Sequence, residues 1–154
     1  GANDGQDTRT KDGKVVHYDT EEWDKEYADR VSVFANILEE HKIAVFWIGN
    51  PIAKTLKYRN TMQRLNRIYE KVLQIYENAI FIPTWDLLQN AKGEYSAYLA
   101  DENGMQRLAR AGDGIHTTPF GAEILARSIM QTIKEDLGLE PSPKDQAPLS
   151  QPNL

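Results

Sequence analysis

Ile43-Ala44-Val45-Phe46-Trp47-Ile48 is an unbroken apolar run closed by Gly49-Asn50-Pro51. A strand apolar at every position has no face to offer water, so it predicts a strand buried on both faces, as in parallel sheets. Thr20 to His41 predicts a helix before it. Its apolar residues Trp23, Tyr27, Val31, Phe34 and Leu38 recur at helical spacing and mark a core-facing stripe. Thr20 suits the N-cap, and Glu21, Glu22 and Asp24 stand in the first turn, where the helix dipole favours them. A second helix is expected from Leu56 to Glu77, with Met62, Leu65, Tyr69, Val72 and Tyr76 facing inward. Ala79-Ile80-Phe81-Ile82 then reads as another short buried strand, stopped by Pro83. This alternation of helices and strands implies an α/β fold with crossover connections.

The rest is less regular. Residues 1–19 read as a polar loop with an extended piece at Val15-Val16. Trp85 to Gln89 suggests a helical turn capped by Asp86. Residues 90–112 are irregular, with a short hairpin expected around Tyr95–Leu99 and Met105–Leu108. Thr118 then suits an N-cap and Pro119 the first helical position. Ile124, Leu125, Ile129, Ile133 and Leu137 predict the buried face of a last helix, which Gly138 ends. From Glu140 the chain holds many of its prolines and little that is apolar, so residues 140–154 read as a disordered tail after a domain at 1–139. No internal repeat is present.

With 154 residues, 40% of them hydrophobic and 27% charged, the chain has the composition of one globular domain. No apolar run is long enough to span a bilayer. The net charge of -5 and the lack of a basic patch argue against a nucleic-acid partner. Without cysteine the chain forms no disulfide, thiolate metal site or thiol nucleophile. Gly1-Ala2-Asn3-Asp4-Gly5 carries neither an initiator Met nor a signal peptide. It reads as a turn of the kind that follows a strand, so the chain is expected to begin inside a domain.

Two segments carry candidate chemistry. In Asp113-Gly114-Ile115-His116, a carboxylate three residues from an imidazole on a tight turn can fix its tautomer and stabilise its charged form. The plainer alternative makes Asp113 a turn cap and His116 a surface residue. In Gly1-Ala2-Asn3-Asp4, the Asn3 amide can donate to a developing oxyanion. The plainer alternative is an Asx turn. His17 and His41 are expected in solvent, and a metal site is disfavoured because no second His or carboxylate stands at ligand spacing. Lys54–Arg59 and Arg64–Arg67 read as solvated helix faces, and Trp23, Tyr27 and Phe34 as core.

Taken together, G-x-N-D and D-G-I-H-x-T-x-x-G-A resemble the third and fifth sequence blocks of the SGNH (GDSL-like) hydrolases, closest to a bacterial envelope-associated subgroup of unknown function. Supporting segments are the G-A-N-D-G-Q start, W-x-x-x-Y in the first helix, W-I-G-N-P, N-x-x-Y in the second helix, T-W-D and Y-S-A-Y. The resemblance extends over nearly all of residues 1–137. It implies a three-layer α/β/α flavodoxin-like sandwich with a parallel sheet, whose N-terminal strands this chain lacks. It implies that Asn3 lines the oxyanion hole, His116 is the general base and Asp113 orients it. Gly1, Gly49, Asn50, Pro51, Thr84 and Trp85 would rim the pocket, with Gly1, Asn50 and Trp85 contacting substrate. No cofactor is implied.

One block departs from the pattern: no Gly-Asp-Ser is present. Ser32, Ser96, Ser128, Ser142 and Ser150 all stand in other contexts. Two hypotheses follow. One is an esterase or acyltransferase domain with its serine upstream, acting on a small ester or O-acetylated glycan in the periplasm or outside the cell. The other is a non-catalytic module of envelope assembly or binding. The missing strands also predict exposed apolar surface and sheet edge. Oligomeric state is left open.

Overall fold

The computed structural model describes residues 1–139, and the tail expected from Glu140 lies outside the described residues. The fold is mixed α/β, with helices and small sheets. The chain divides into two compact units: Gly1–Asn50 with Leu56–Pro83, and Pro51–Thr55 with the chain from Thr84 onward. No helix among the described residues is long and apolar enough to cross a membrane.

In the first unit, β1 (Thr8–Arg9) and β2 (Val15–Val16) form a small antiparallel hairpin. Helix α1 (Glu21–Glu40) follows, then β3 (Val45–Ile48), α2 (Leu56–Leu73) and β4 (Ala79–Ile82). β3 and β4 pair in parallel, in register from Val45↔Ala79 to Ile48↔Ile82, as the apolar runs predict. The ladder is extended at both ends by Val45 N–H donating to Asn78 O at 2.7 Å and Gly49 N–H to Ile82 O at 2.8 Å.

Helix α1 starts where the sequence indicates. Thr20 Oγ1 accepts from Trp23 N–H at 3.2 Å, satisfying one of the donors every helix start leaves over. His41 forms the C-cap, and Lys42 follows in the left-handed region at φ 54°. The core is made by Trp23, Val31 and Ala35 of α1 against Leu65, Ile68, Tyr69, Val72 and Leu73 of α2, with Val16 and Tyr76. Trp23 and Tyr27 stack with ring centroids 4.7 Å apart.

Four expectations are corrected in this unit. Phe34 is 51% exposed, and Ala35, at 1%, holds the inner position instead. Positions three and four residues beyond Val31 both lie near the stripe, and the buried one is in line with Trp23 and Val31 at steps of four. Phe34 keeps only an edge-on contact with Trp47, at 5.8 Å. Burial of β3 on both faces is incomplete: Val45 is buried, but Ile43 and Ile48 are about half exposed. Among the described residues β3 pairs with β4 alone, and a two-stranded ladder shields less of each strand than a wider sheet does. Arg64 does not lie on a solvated face. Its guanidinium donates to Asp24 Oδ1 at 2.5 Å and to the carbonyls of Tyr18 and Thr20 at 2.6 Å, and it lies against the Tyr18 and Trp23 rings. Helix α2 ends at Leu73, short of the expected Glu77, yet Tyr76 remains buried in the turn beyond.

The second unit holds a 3-10 turn (Trp85–Leu88), the antiparallel hairpin β5 (Tyr98–Ala100) and β6 (Gln106–Leu108), and helix α3 (Pro119–Asp136). Asp86 lies inside the turn and bonds Gln89, and Thr84 occupies the N-cap position. The hairpin starts later than expected, with Tyr95 instead bridging to Gln89. Thr118 caps α3 by accepting from Gly121 N–H at 3.3 Å, and Pro119 follows as predicted. A Cβ on Gly121 would lie 2.0 Å from the Ala109 carbonyl oxygen, so only glycine allows that approach. The predicted face of α3 is only half-buried at Ile124, Leu125, Ile129 and Ile133, and Leu137 is exposed. Full burial is confined to Phe120 and Gly121, beside the 3-10 turn and β6 that the helix packs on.

These positions predict unequal costs. Trp23→Ala should destabilise by roughly 3–5 kcal/mol, as expected for emptying a filled aromatic site. Phe34→Ala should cost under about 1 kcal/mol, the range of exposed positions. Urea denaturation of the two variants beside the parent checks the order, and equal costs would refute the corrected stripe.

Candidate functional site

The segment from Arg110 to Thr118 folds into a tight loop because its ends pair. Arg110 and Thr117 form an antiparallel bridge, Ala111 N–H donates to His116 O at 2.8 Å, and Gly114 N–H donates to Ala111 O at 2.9 Å. Gly114 has φ +70° and a Cβ there would meet Lys54 Cβ at 2.3 Å, so both conformation and space require glycine. Inside the loop, Asp113 uses its two oxygens differently. Oδ1 accepts from the backbone N–H of Ile115 at 2.8 Å and of His116 at 3.0 Å. Oδ2 lies 2.6 Å from His116 Nδ1. Turn-capping and orientation of the imidazole, which the sequence left as alternatives, are therefore performed by one carboxylate.

The hydrogen bond to His116, followed by those from the two backbone amides, holds the Asp113 carboxyl far below the usual carboxylate range. An ionised carboxylate facing Nδ1 assigns the proton to that nitrogen. Nε2 is then the free basic nitrogen on a side chain that is 79% exposed. Such a pair can accept a proton from a hydroxyl and stabilise the resulting imidazolium.

The Gly1–Asp4 segment belongs to the first unit, where it forms a turn with Asp4 N–H donating to Gly1 O at 3.0 Å. The Asn3 side chain is exposed and makes no hydrogen bond to the described residues, so it forms no Asx turn and its amide is available to a ligand. Its backbone is held firmly. Gln6 Nε2 donates to Asn3 O, and Trp23 Nε1 donates to Gln6 O at 2.9 Å. Asp4 Oδ2 accepts from Tyr27 OH at 2.7 Å, and Tyr27 OH is 2.9 Å from Tyr69 OH. Burial raises the Asp4 carboxyl, but the bonds from Tyr27 and the Gly1 amino group outweigh it and leave it below its ordinary value. Burial, then the bonds to Tyr69 and Asp4, push the Tyr27 phenol far above its own, so it stays a donor.

Asn50 is fixed in the same unit. Asn66 Oδ1 accepts from Asn50 N–H at 2.7 Å, and Asn66 Nδ2 donates to Asn50 O at 2.8 Å. Gly1 lies so close that a Cβ on it would come within 2.4 Å of Asn50 Oδ1. The structure thus brings Gly1 and Asn50 together in the first unit, and Asp113 and His116 together in the second. Trp85, half-buried, opens the 3-10 turn of the second unit just after the buried Thr84.

A family described as Protein of unknown function (DUF459) matches residues 1–132, taking in both candidate segments. The chain belongs to the DUF459 family. No curated protein matches it.

Some functional detail of this DUF459 chain escaped the sequence. Tyr27, Tyr69 and Asn66 belong to the W-x-x-x-Y and N-x-x-Y motifs, but nothing in those motifs says that they anchor the Gly1–Asp4 and Asn50 loops. Arg110, fully buried beside the Asp113 loop, gave no signal because it is a single arginine in an irregular stretch. His17 is exposed as expected, yet it too meets a carboxylate, Asp7 Oδ2 at 2.8 Å, while Asp7 Oδ1 accepts from Tyr18 N–H. His41 is exposed and donates through Nδ1 to Ile37 O.

A pH experiment tests the dyad. Because the folded pKa of Asp113 is depressed, its ionisation stabilises the fold above the ordinary carboxylate range, and that contribution fades as pH falls through the folded value. The stability gap between the parent and Asp113→Asn should be widest near neutrality and close in acid. Urea midpoints from pH 7 downward measure it, and a gap independent of pH would contradict the bonding described.

Proposed function

We propose that the chain is part of an SGNH-type serine esterase or O-acyltransferase, with the flavodoxin-like α/β/α architecture of that superfamily and its nucleophilic serine upstream of residue 1. The observation that carries the proposal is the 2.6 Å contact of Asp113 Oδ2 with His116 Nδ1, which leaves Nε2 free on an exposed imidazole. In the proposed reaction the upstream serine attacks an ester carbonyl and His116 Nε2 takes its proton. Asp113 stabilises the imidazolium, and the unengaged Asn3 amide donates to the oxyanion. His116 then returns the proton to the departing alkoxide, leaving an acyl-serine. Water or a sugar hydroxyl resolves that intermediate, with His116 again as base. The resemblance suggests a carbohydrate O-acetyl ester as substrate and a periplasmic or extracellular location.

The serines described in this chain support an upstream nucleophile. Ser32 lies in α1 and donates to Ala28 O, and Ser96 is engaged with Tyr98. Ser128 lies within α3. The same observation keeps a second proposal in view, a non-catalytic binding module built on this fold.

The full-length protein should hydrolyse an activated acetyl ester such as p-nitrophenyl acetate. His116→Ala should remove nearly all of the activity, leaving a residual background, as loss of one member of a triad does. Asn3→Ala should lower kcat by about 100- to 1000-fold, the usual cost of one oxyanion donor. Activity that survives His116→Ala would refute the assigned base. A replaced serine in the upstream Gly-Asp-Ser block, with no turnover, would favour the binding module.

A further inference from the structure

Arg110 is the largest charged side chain wholly removed from solvent, with 0% exposure, and among the described residues it has no carboxylate within ion-pair distance. A buried cation without a counter-ion is costly unless its donors are satisfied by other means. Here backbone carbonyls satisfy the two Nη groups, while Nε has no hydrogen-bond partner among the described residues. Nη1 donates to Ile52 O at 2.5 Å, and Nη2 donates to Ile115 O at 2.7 Å and Gly114 O at 3.2 Å. The guanidinium carbon lies 5.3 Å from the Tyr95 ring centroid. Ile115 and Gly114 are the two residues between Asp113 and His116, and Ile52 belongs to the Pro51–Thr55 segment. A second tie joins the same two segments, Lys54 N–H donating to Gly114 O at 3.1 Å.

We propose that Arg110 is a positioning residue for the Asp113–His116 pair, gripping the loop by the carbonyls between them so that the imidazole is presented to Asp113 Oδ2. A planar guanidinium suits this because its Nη donors diverge in a fixed fork and reach two chain segments at once. Lysine keeps the charge but offers a compact head that cannot hold the same spread of acceptors. The catalytic consequence rests on the esterase proposal, whereas the structural one does not.

The test uses the full-length protein with Arg110→Lys and Arg110→Met, and Leu88→Ala as a control that empties a buried site in the 3-10 turn of the same unit. Two quantities are read: the downfield Nδ1 proton resonance of His116 by NMR, and kcat and KM on an activated acetyl ester. Both Arg110 variants should lose or broaden the resonance and lower kcat by about 10- to 100-fold with KM little changed, the scale of a small misplacement of a catalytic group. Leu88→Ala should lower the melting temperature while keeping both. A sharp, unshifted resonance in a folded Arg110→Lys protein would overturn the proposal. Should both Arg110 variants fail to fold, hydrogen-bond couplings from the Arg110 Nη nitrogens to the Ile115 and Ile52 carbonyls in the parent decide instead, and their absence would overturn it. A parent that lacks esterase activity would refute the function proposed above, while the resonance still decides the role of Arg110.

Discussion

The indole N–H of Trp23 donates to the Gln6 carbonyl, and much of the first unit depends on that bond. Trp23 is fully buried, so its one polar atom must find a partner or cost the fold heavily. The partner it finds is the backbone of an irregular loop. That choice fixes the loop against α1 without any secondary structure of its own. Gln6 in turn holds Asn3 O, and Tyr27, stacked on Trp23, holds Asp4. A core aromatic thus determines where an exposed asparagine stands, and the core that buries Trp23 sets the precision of a polar turn.

The second unit solves the same problem with a charge. The one large apolar side chain of the Asp113 loop, Ile115, is only partly buried and does not anchor it as the fully buried Trp23 anchors the first turn. The loop's order comes from hydrogen bonds on both sides. Asp113 draws in the amides of Ile115 and His116, and Arg110 draws in the carbonyls of Gly114 and Ile115. Donors and acceptors of the same short segment are pulled in opposite directions by opposite charges. A peptide held from both sides has little freedom to rotate, which is what a side chain with a directional task requires.

Sequence patterns revealed the elements whose formation is local or periodic. The N-caps at Thr20 and Thr118, the stripe of α2 and the parallel pair of apolar strands all follow from spacing and side-chain chemistry within a few residues. Phe34 and Ala35 show where periodicity falls short, since both lie near the stripe and only the packing of α2 selects the smaller one. Arg64 shows the same for charge. A basic residue on a helix reads as solvated, and its place among the Tyr18 and Thr20 carbonyls depends on chain about 44 residues away. Asp113 and His116 were legible because their geometry is set by a four-residue turn. Tyr27, Tyr69 and Asn66 were not, because each acts on a loop remote in sequence, and Arg110 was not, because its burial depends on the Ile52 carbonyl 58 residues away.

The groups that support the two candidate segments share a property that bears on mechanism. Tyr27 is held protonated well beyond neutrality, and an arginine keeps its charge throughout the working range of a protein. Asp113, at the other extreme, is held ionised. Each support therefore keeps one protonation state across the ordinary pH range. A scaffold that titrated together with its base would loosen its grip at the moment the base became charged. Holding Asp113 ionised and Arg110 charged keeps the loop in one arrangement across the ordinary pH range, which is what the base proposed at His116 would require.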